Sequence, residues 1–257
     1  MRDPSKYEGP TYHQGESLSF PWNDGTETSK ERYSVSASPL VPQAFWFRLI
    51  LRCPRVVGLS TSKGGLLDLP ASCELPDFGA LDGRPSWCSV RAGWDEKGLG
   101  FTFTVRGKKK PIQTDPLALG GRDEVDLWVD TRDTRDVHRA TRFCHRFTAN
   151  FRGSVKGPSL SVELTQGKIH RALGEPPQAK SGSFQAAAES TKDGYRLDIF
   201  LSAEALHGFD PETNRRLGLY YRVGDSERGD RHLAVGREFP VGEDPSLWAT
   251  LELIDDA

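Results

Sequence analysis

The segment Asp193–Asp225 constrains the fold more than any other part of this 257-residue chain. It opens with Asp-Gly, a dipeptide that supplies the positive φ of a tight hairpin turn. Apolar and polar residues then alternate through Tyr195–Leu201, and the alternation resumes in Leu217–Val223. Because side chains of a strand point to opposite faces in turn, each stretch predicts a strand with one apolar face.

A short helix is expected between these two strands, near residues 202–208. Ser202 can act as its N-cap, and Glu204 lies near the positive end of the helix dipole. Gly208 and Pro211 then end it. The order of turn, strand, helix and strand predicts a crossover in a β-sandwich, and it favours a ligand-binding domain over an enzyme.

The remainder of the chain consists of short strand-like stretches separated by Gly, Pro and Asp turns. Gln43–Arg52, with apolar residues on alternate positions, predicts a long strand covered on both sides. The other expected strands are Ser86–Gly93, Gly98–Arg106, Glu124–Thr131, Arg142–Phe151, Ser159–Leu164, Phe184–Glu189 and Leu247–Leu253. Many short strands with one helix predict an all-β protein, an antiparallel β-sandwich of jelly-roll or immunoglobulin-like type.

Two regions differ in composition. Residues 1–38 are rich in Pro, Gly, Ser, Thr and charge without a sustained period, which predicts a flexible N-terminal arm. Residues 39–257 are expected to form a single β-sandwich domain. The N-terminus has no apolar core typical of a signal peptide, so the chain as given is expected to be cytoplasmic, or extracytoplasmic if a leader was removed.

Composition restricts the function further. The chain has 34 basic and 36 acidic residues and a net charge of −2, which argues against nucleic acid or an anionic membrane as the main partner. There is no GxSxG, P-loop or HExxH motif, so we expect a non-catalytic protein. The four cysteines are scattered without a CxxC pair, which favours buried thiols over a zinc ribbon: Cys53, Cys73, Cys88 and Cys144.

Four ordered motifs carry a resemblance to a known family. They are Leu81-Asp82-Gly83 followed by Trp87, then Gly93–Leu99, Asp123–Asp130, and Asp193–Asp225 continued to Asp244–Trp248. In order and spacing the chain resembles the family 9 carbohydrate-binding modules, within the DOMON-like β-sandwich domains, over roughly residues 69–254. The resemblance implies a non-catalytic sandwich that binds the ends of sugar chains.

The chain departs from that family where the sugar is held. Sugar-binding members clamp the pyranose ring between aromatic residues, expected just before Asp123 and just before Asp244. Here these places hold Leu119-Gly120-Gly121-Arg122 and Val241-Gly242-Glu243, which cannot stack on a sugar. Two alternatives to glycan binding therefore stay open: an interaction or scaffold domain with a protein partner, and a haem-binding DOMON-like domain.

The candidate ligand-binding residues are Asp126, Trp128, Arg142 and Arg146. Asp126 and Trp128 share one face of a predicted strand, where Asp126 could bind a ligand hydroxyl and Trp128 could form a platform. The resemblance implies an arginine in the following strand, near Thr148, and Arg142 and Arg146 are close to that position. The alternative for Trp128 is a purely structural one, a tryptophan covered by a loop.

Metal and cofactor binding have weaker signals. Acidic loops at 130–136 and 225–230 supply hard oxygen ligands, so Asp130 and Asp225 are candidates for calcium. A site at His138, Cys144 and His145 is disfavoured, because strand alternation puts Cys144 and His145 on opposite faces. No other cofactor is expected. A haem would need histidine ligands, since the only methionine is Met1.

Overall fold

The computed structural model describes residues 41–59, 65–154 and 159–255. The N-terminal arm expected at 1–38 lies outside these ranges, and the domain boundaries stay a prediction. Within the described residues, no helix is long and apolar enough to cross a bilayer.

The described chain is built almost entirely from β-strands, as predicted. In chain order they are β1 (Ile50–Pro54), β2 (Cys88–Asp95), β3 (Gly98–Val105), β4 (Glu124–Asp130), β5 (Cys144–Ser154), β6 (Ser159–Gly167), β7 (Phe184–Thr191), β8 (Gly194–Ser202), β9 (Arg216–Asp225), β10 (Gly229–His232) and β11 (Ala249–Ile254). The helical elements are short 3-10 turns at Gln43–Trp46, Ala71–Cys73, Phe78–Asp82 and Pro245–Leu247.

The strands form one continuous sheet that folds over itself. Its order is β1-β11-β9-β4-β5-β6-β7-β8-β3-β2, with β10 paired to β9. The two layers meet between β6 and β7, whose backbones are paired at two residue pairs. Aromatic rings fill the interior between the two layers: Phe103 lies 5.7 Å from Tyr221 and Phe151 lies 4.8 Å from Tyr195, centroid to centroid. The predicted sandwich is confirmed, and its strands pair antiparallel except for β1 and β11, which are parallel.

The crossover predicted from Asp193–Asp225 is present, but its helix is not. β8 pairs with β3 and β7, whereas β9 pairs with β4 and β11 in the other layer. Between them, the Ala205 amide donates to the Ser202 carbonyl at 2.9 Å and the Leu206 amide to the Ala203 carbonyl at 3.3 Å, which are isolated turns. The helix expected near 202–208 is therefore wrong. The Ser202 hydroxyl is buried without a partner among the described residues, so it provides no cap.

The long strand expected at Gln43–Arg52 is also wrong. The chain makes a 3-10 turn at Gln43–Trp46, and β1 starts only at Ile50. Trp46, Phe47 and Ile50 are exposed, so the apolar residues of this segment are not covered on both sides, and only Ile50–Arg52 of the expected range is in a strand, paired with β11. Instead the Phe45 ring stacks on Phe239 at 4.8 Å, and Trp46 is exposed.

All four cysteines are buried free thiols, the simpler of the two states that the sequence allows. Burial raises the pKa of Cys88 and of Cys144 to about 12 each. At neutral pH these thiols are therefore protonated apolar fillers of the core.

A buried lysine ties together the ends of the two strands β4 and β9. The Lys108 ammonium lies 3.0 Å from Asp123, the residue before β4, and 3.1 Å from Asp225, the last residue of β9. Its side chain is 3 % exposed, and both carboxylates are fully buried. Asp123 also accepts from the Ser226 amide at 2.9 Å. The lysine thus reduces the repulsion between two buried carboxylates and is the cation that both share.

We predict that Lys108→Met destabilises the protein by about 3–5 kcal/mol, because it leaves two buried carboxylates without their cation. Chemical denaturation at neutral pH measures the change. Lys109→Met is the control, since Lys109 is exposed and its substitution is expected to stay within about 0.5 kcal/mol. The double variant Lys108→Met/Asp225→Asn should be more stable than Lys108→Met alone; equal stability of all variants would contradict the role given to Lys108.

One core histidine is held neutral. His145, on β5, is fully buried. Burial is the main reason why its pKa falls from 6.5 to about 4. Its Nε2 lies 3.3 Å from the His207 carbonyl, and its ring lies 6.4 Å from Phe147. The unfolded chain therefore binds more protons than the folded one between these two pKa values.

We predict that the free energy of unfolding falls as the pH drops from about 6.5 to about 4, with up to about 1.4 kcal/mol per pH unit from His145. Above pH 6.5 this contribution is fully present. Urea denaturation at pH 7 and pH 4.5 should show a smaller acid loss in His145→Phe than in the parent protein. An unchanged loss in the variant would show that other groups carry the acid sensitivity.

Candidate functional site

Polar side chains gather on the outer face of three neighbouring strands, β5, β4 and β9. In β4 the inward residues Val125, Leu127 and Val129 are fully buried in the core. Alternation therefore turns Glu124, Asp126 and Trp128 outward.

The sheet register aligns these outward residues in rows. Asp126 pairs with Thr148 on one side and Arg222 on the other. Trp128 pairs with Arg146 and Tyr220. Since directly opposed side chains lie within contact distance, each row acts as one unit.

Asp126 is the centre of a buried charge network. One of its carboxylate oxygens accepts from Arg146 at 2.9 Å and from the Thr148 hydroxyl at 2.6 Å. The other accepts from Arg222 Nε at 3.1 Å. Burial alone would raise the pKa of Asp126, but the two guanidinium groups outweigh it and lower that pKa. Asp126 is therefore charged at neutral pH, and its acceptor positions are occupied.

Arg222 joins the network to two further carboxylates. It contacts Glu124 and lies 3.3 Å from Asp230, in addition to Asp126. Burial would lower the pKa of Arg222, yet the three carboxylates raise it above its usual value. Arg222 is thus fully satisfied by the protein and fixed in one position.

Trp128 forms the floor beside this network. Its ring lies 5.3 Å from Tyr220, and the Arg146 guanidinium is 5.3 Å above it in a cation–π arrangement. The ring is almost completely buried, and its indole N–H has no hydrogen-bond partner among the described residues. An unpaired buried donor is uncommon in folded proteins, where nearly all buried polar groups have a hydrogen-bond partner.

The chain after β10 covers one side of the floor. The Tyr220 hydroxyl donates to the Val235 carbonyl at 2.9 Å and lies 2.6 Å from Nδ1 of His232. Because a carbonyl can only accept, Nδ1 of His232 is the donor to the tyrosine oxygen. Burial lowers the pKa of His232 to about 4, so this histidine is neutral at physiological pH. Phe239 completes this side.

These groups surround a cavity of about 400 Å³. Its lining also includes Arg237, Gly242, Glu243 and His170 from the loops. A second cavity of about 550 Å³ shares Glu124, Arg222 and Arg237 with it and extends along the loop 116–122. Together the two cavities form a groove across the outer face of the sheet.

Three of the four candidate ligand-binding residues come together in this cavity, and one does not. Asp126, Trp128 and Arg146 all line it. Arg142 lies in the turn before β5, with its guanidinium 5.0 Å from the Phe143 ring centroid. Whether any of them binds a ligand stays a prediction.

Several residues that line the cavity were not predicted from the sequence. Arg222 and Tyr220 carried a usable signal, because the alternation in β9 places both on the face opposite Leu219 and Tyr221. Arg237, His170 and Phe239 lie in loops, where no period shows which residues face the sheet.

The two positions at which the sequence resemblance leads one to expect aromatic clamps, before Asp123 and before Asp244, hold no aromatic residue. Leu119 is fully exposed on its loop. Gly242 lies against Trp128: a Cβ added there would be 3.7 Å from the indole ring. The floor of the cavity is therefore a single buried tryptophan, with no facing aromatic ring at either of these two positions.

The two calcium candidates lie far apart in the fold. Asp130 ends β4 beside Gly218, at the opposite end of the sheet from Asp225, which is paired with Lys108. Asp130 accepts backbone amides from Arg132 at 3.0 Å and Thr134 at 2.7 Å, and burial raises its pKa. Over residues 41–59, 65–154 and 159–255, no group of three or more His, Cys, Asp or Glu is arranged to hold a metal ion. Calcium binding stays a prediction.

Comparison with known proteins gives a structural match without a sequence match. No protein-family model and no curated protein matches the chain. A family 9 carbohydrate-binding module from Caldicellulosiruptor kristjanssonii, solved in complex with glucose, matches at a TM-score of 0.52 and 14 % identity over 80 % of this chain and 97 % of the module. A module from the same organism, in complex with cellotriose, matches at 0.52 and 13 % identity over 81 % and 95 %.

At these identities the comparison establishes the fold alone. The predicted resemblance is confirmed at that level, since the match spans nearly the whole length of both modules. The chain has the β-sandwich fold of the family 9 carbohydrate-binding modules.

Proposed function

We propose that this protein is a non-catalytic carbohydrate-binding domain whose ligand occupies the groove over β5, β4 and β9. The observation that carries the proposal is the pair of unpartnered buried donors in this cavity, Trp128 Nε1 and Arg146 Nε, which find no acceptor within the described part of the chain. Two modules of the same fold were solved with glucose and cellotriose, which supports a glycan as the ligand.

The groove suits a ligand held mainly by hydrogen bonds. Sugar hydroxyl and ring oxygens can accept from the Arg146 guanidinium and from the Trp128 indole N–H. The charge network on Asp126 holds Arg146 in place before the ligand arrives, so little ordering cost falls on binding. Without a second aromatic ring at the clamp positions, stacking contributes less here than in modules that enclose the sugar from two sides.

The same network argues for binding rather than catalysis. A general acid or nucleophile needs a carboxylate that can contact the substrate. Asp126 and Glu124 line the groove, but both are engaged by arginines, and Arg222 bridges them. Their role in this proposal is to position arginine side chains.

We predict that titration with mono- and oligosaccharides, beginning with glucose and cellotriose, perturbs tryptophan fluorescence at millimolar concentrations. Arg146→Gln should weaken binding of a responding sugar roughly ten- to hundredfold, the cost of one charged hydrogen bond of about 1.5–3 kcal/mol. Arg152→Gln is the matched control, because Arg152 also lies on β5 but pairs with Glu163 on the exposed surface.

If both variants are folded, as judged by circular dichroism, and bind the sugar with equal affinity, the ligand does not bind in this groove. A glycan array and titration without any response would remove carbohydrate binding altogether.

A second candidate is a protein-interaction domain that has lost sugar binding. Exposed aromatic and aliphatic side chains at Phe45, Trp46, Phe47 and Ile50 favour it, since contiguous exposed apolar residues often mark contact surfaces. A silent glycan array, together with a protein partner whose capture is lost in Trp46→Ser, would favour this candidate.

Haem binding stays a prediction with less support. The ring of the fully buried His145 lies 6.4 Å from Phe147, and the partly buried His207 stacks on Phe143 at 5.3 Å.

A further inference from the structure

We propose that the groove selects a sugar that carries a carboxylate, a hexuronic acid residue, over the corresponding neutral sugar. This inference rests on the proposed function and adds the chemical class of the ligand. It follows from which hydrogen-bonding groups of the groove are already engaged and which remain open.

The acceptors of the groove are occupied by the protein itself. The Asp126 carboxylate is held by Arg146, Thr148 and Arg222. Glu124 is paired with Arg122 and Arg222.

The other carboxylates that line the groove are engaged as well, and Asp225 is the partner of Lys108 described above. Asp230 is paired with Arg222 at 3.3 Å and with Arg237 at 2.7 Å. Glu243 is paired with His170 at 2.8 Å. A sugar hydroxyl can donate as well as accept, and a site for a neutral sugar uses both capacities. Apart from Nε2 of the neutral His232, which lies 3.8 Å from Asp230, the described side chains of the groove offer a ligand few places to donate.

The open groups are donors. Nε of Arg146 and Nε1 of Trp128 are buried in the cavity wall and meet no acceptor among the residues described. A ligand that supplies negatively charged oxygen atoms satisfies both, since hydrogen bonds to a carboxylate are stronger than those to a hydroxyl.

The exposed fractions of the charged side chains also favour a negatively charged ligand. The side chains of Arg146 and Arg237 are 36 % and 70 % exposed, whereas those of Asp126 and Glu124 are 3 % and 15 % exposed. Asp126 and Glu124 are thus more deeply buried than these two arginines, whereas Asp230 and Glu243, toward the edge of the groove, are 23 % and 33 % exposed. Over the centre of the groove a ligand approaching from solvent therefore meets the Arg146 guanidinium before the Asp126 carboxylate. A planar guanidinium matches a carboxylate in geometry, with two parallel N–H donors.

The test compares sugars that differ in one group. Glucuronate, glucuronamide and glucose share the ring and its hydroxyls, but only glucuronate carries a negative charge. Galacturonate and its oligomers test the other common ring configuration, and acetate tests a carboxylate without a sugar. Affinities are measured by tryptophan fluorescence and by NMR titration of the full chain at low ionic strength, where charge selectivity is largest.

We expect glucuronate or galacturonate to bind at least tenfold more tightly than glucuronamide and glucose. In Arg146→Gln this preference should shrink to less than threefold, while Arg152→Gln keeps it. Arg237→Gln is a second variant for the case that Arg146→Gln does not fold, because Arg237 is mostly exposed and its loss should also reduce the preference.

Three results would overturn the inference. If neutral sugars bind as tightly as the uronates, the proposal of carbohydrate binding is retained and the proposal of selectivity for a carboxylate is wrong. If acetate binds as tightly as the uronates, the groove is a simple anion site. If no sugar of either class binds, both the selectivity and the proposed function are wrong.

Discussion

The candidate site depends on one buried carboxylate, that of Asp126. Removing a carboxylate from water is costly, and the cost is offset here only because Arg146, Arg222 and Thr148 all donate to it. The same bonds hold the two arginines in place over the sheet. Loss of one partner would leave a buried charge, so the network behaves as a unit. The groove is preorganised by this network rather than by its surface loops.

The sheet supplies the geometry for that network. Registered pairing of β5, β4 and β9 places one donor on each side of Asp126, and the inward residues of the same strands anchor the rows in the core. At one end of these strands, Lys108 binds the carboxylates of Asp123, the residue before Glu124, and of Asp225, the last residue of β9. The fold and the candidate site therefore depend on different residues: apolar alternation determines the sandwich, and the outward polar rows form the site.

The residue pattern was informative where it was periodic. Alternation in β4 placed Asp126 and Trp128 on one face, and alternation around Asp193–Asp225 correctly indicated a crossover between layers. The pattern failed at 202–208 and at Gln43–Arg52, where buried turns and a position at the sheet edge decide the local structure. Arg142 was a candidate by proximity in sequence, yet it lies outside the lining because β5 begins only at Cys144. Loop residues such as Arg237 have no sequence period that could reveal their position.

In the proposed function, a glycan binds on the outer face of β4 and accepts hydrogen bonds from Trp128 and Arg146. The most direct measurement is a two-dimensional NMR titration that follows the tryptophan indole N–H and arginine Nε–H signals as a uronic acid or neutral sugar is added. If a glycan binds there, the indole signal of Trp128 and the Nε–H signal of Arg146 are expected to shift together and to saturate with one affinity. Shifts confined to other residues, with these two signals unchanged at saturation, would contradict it.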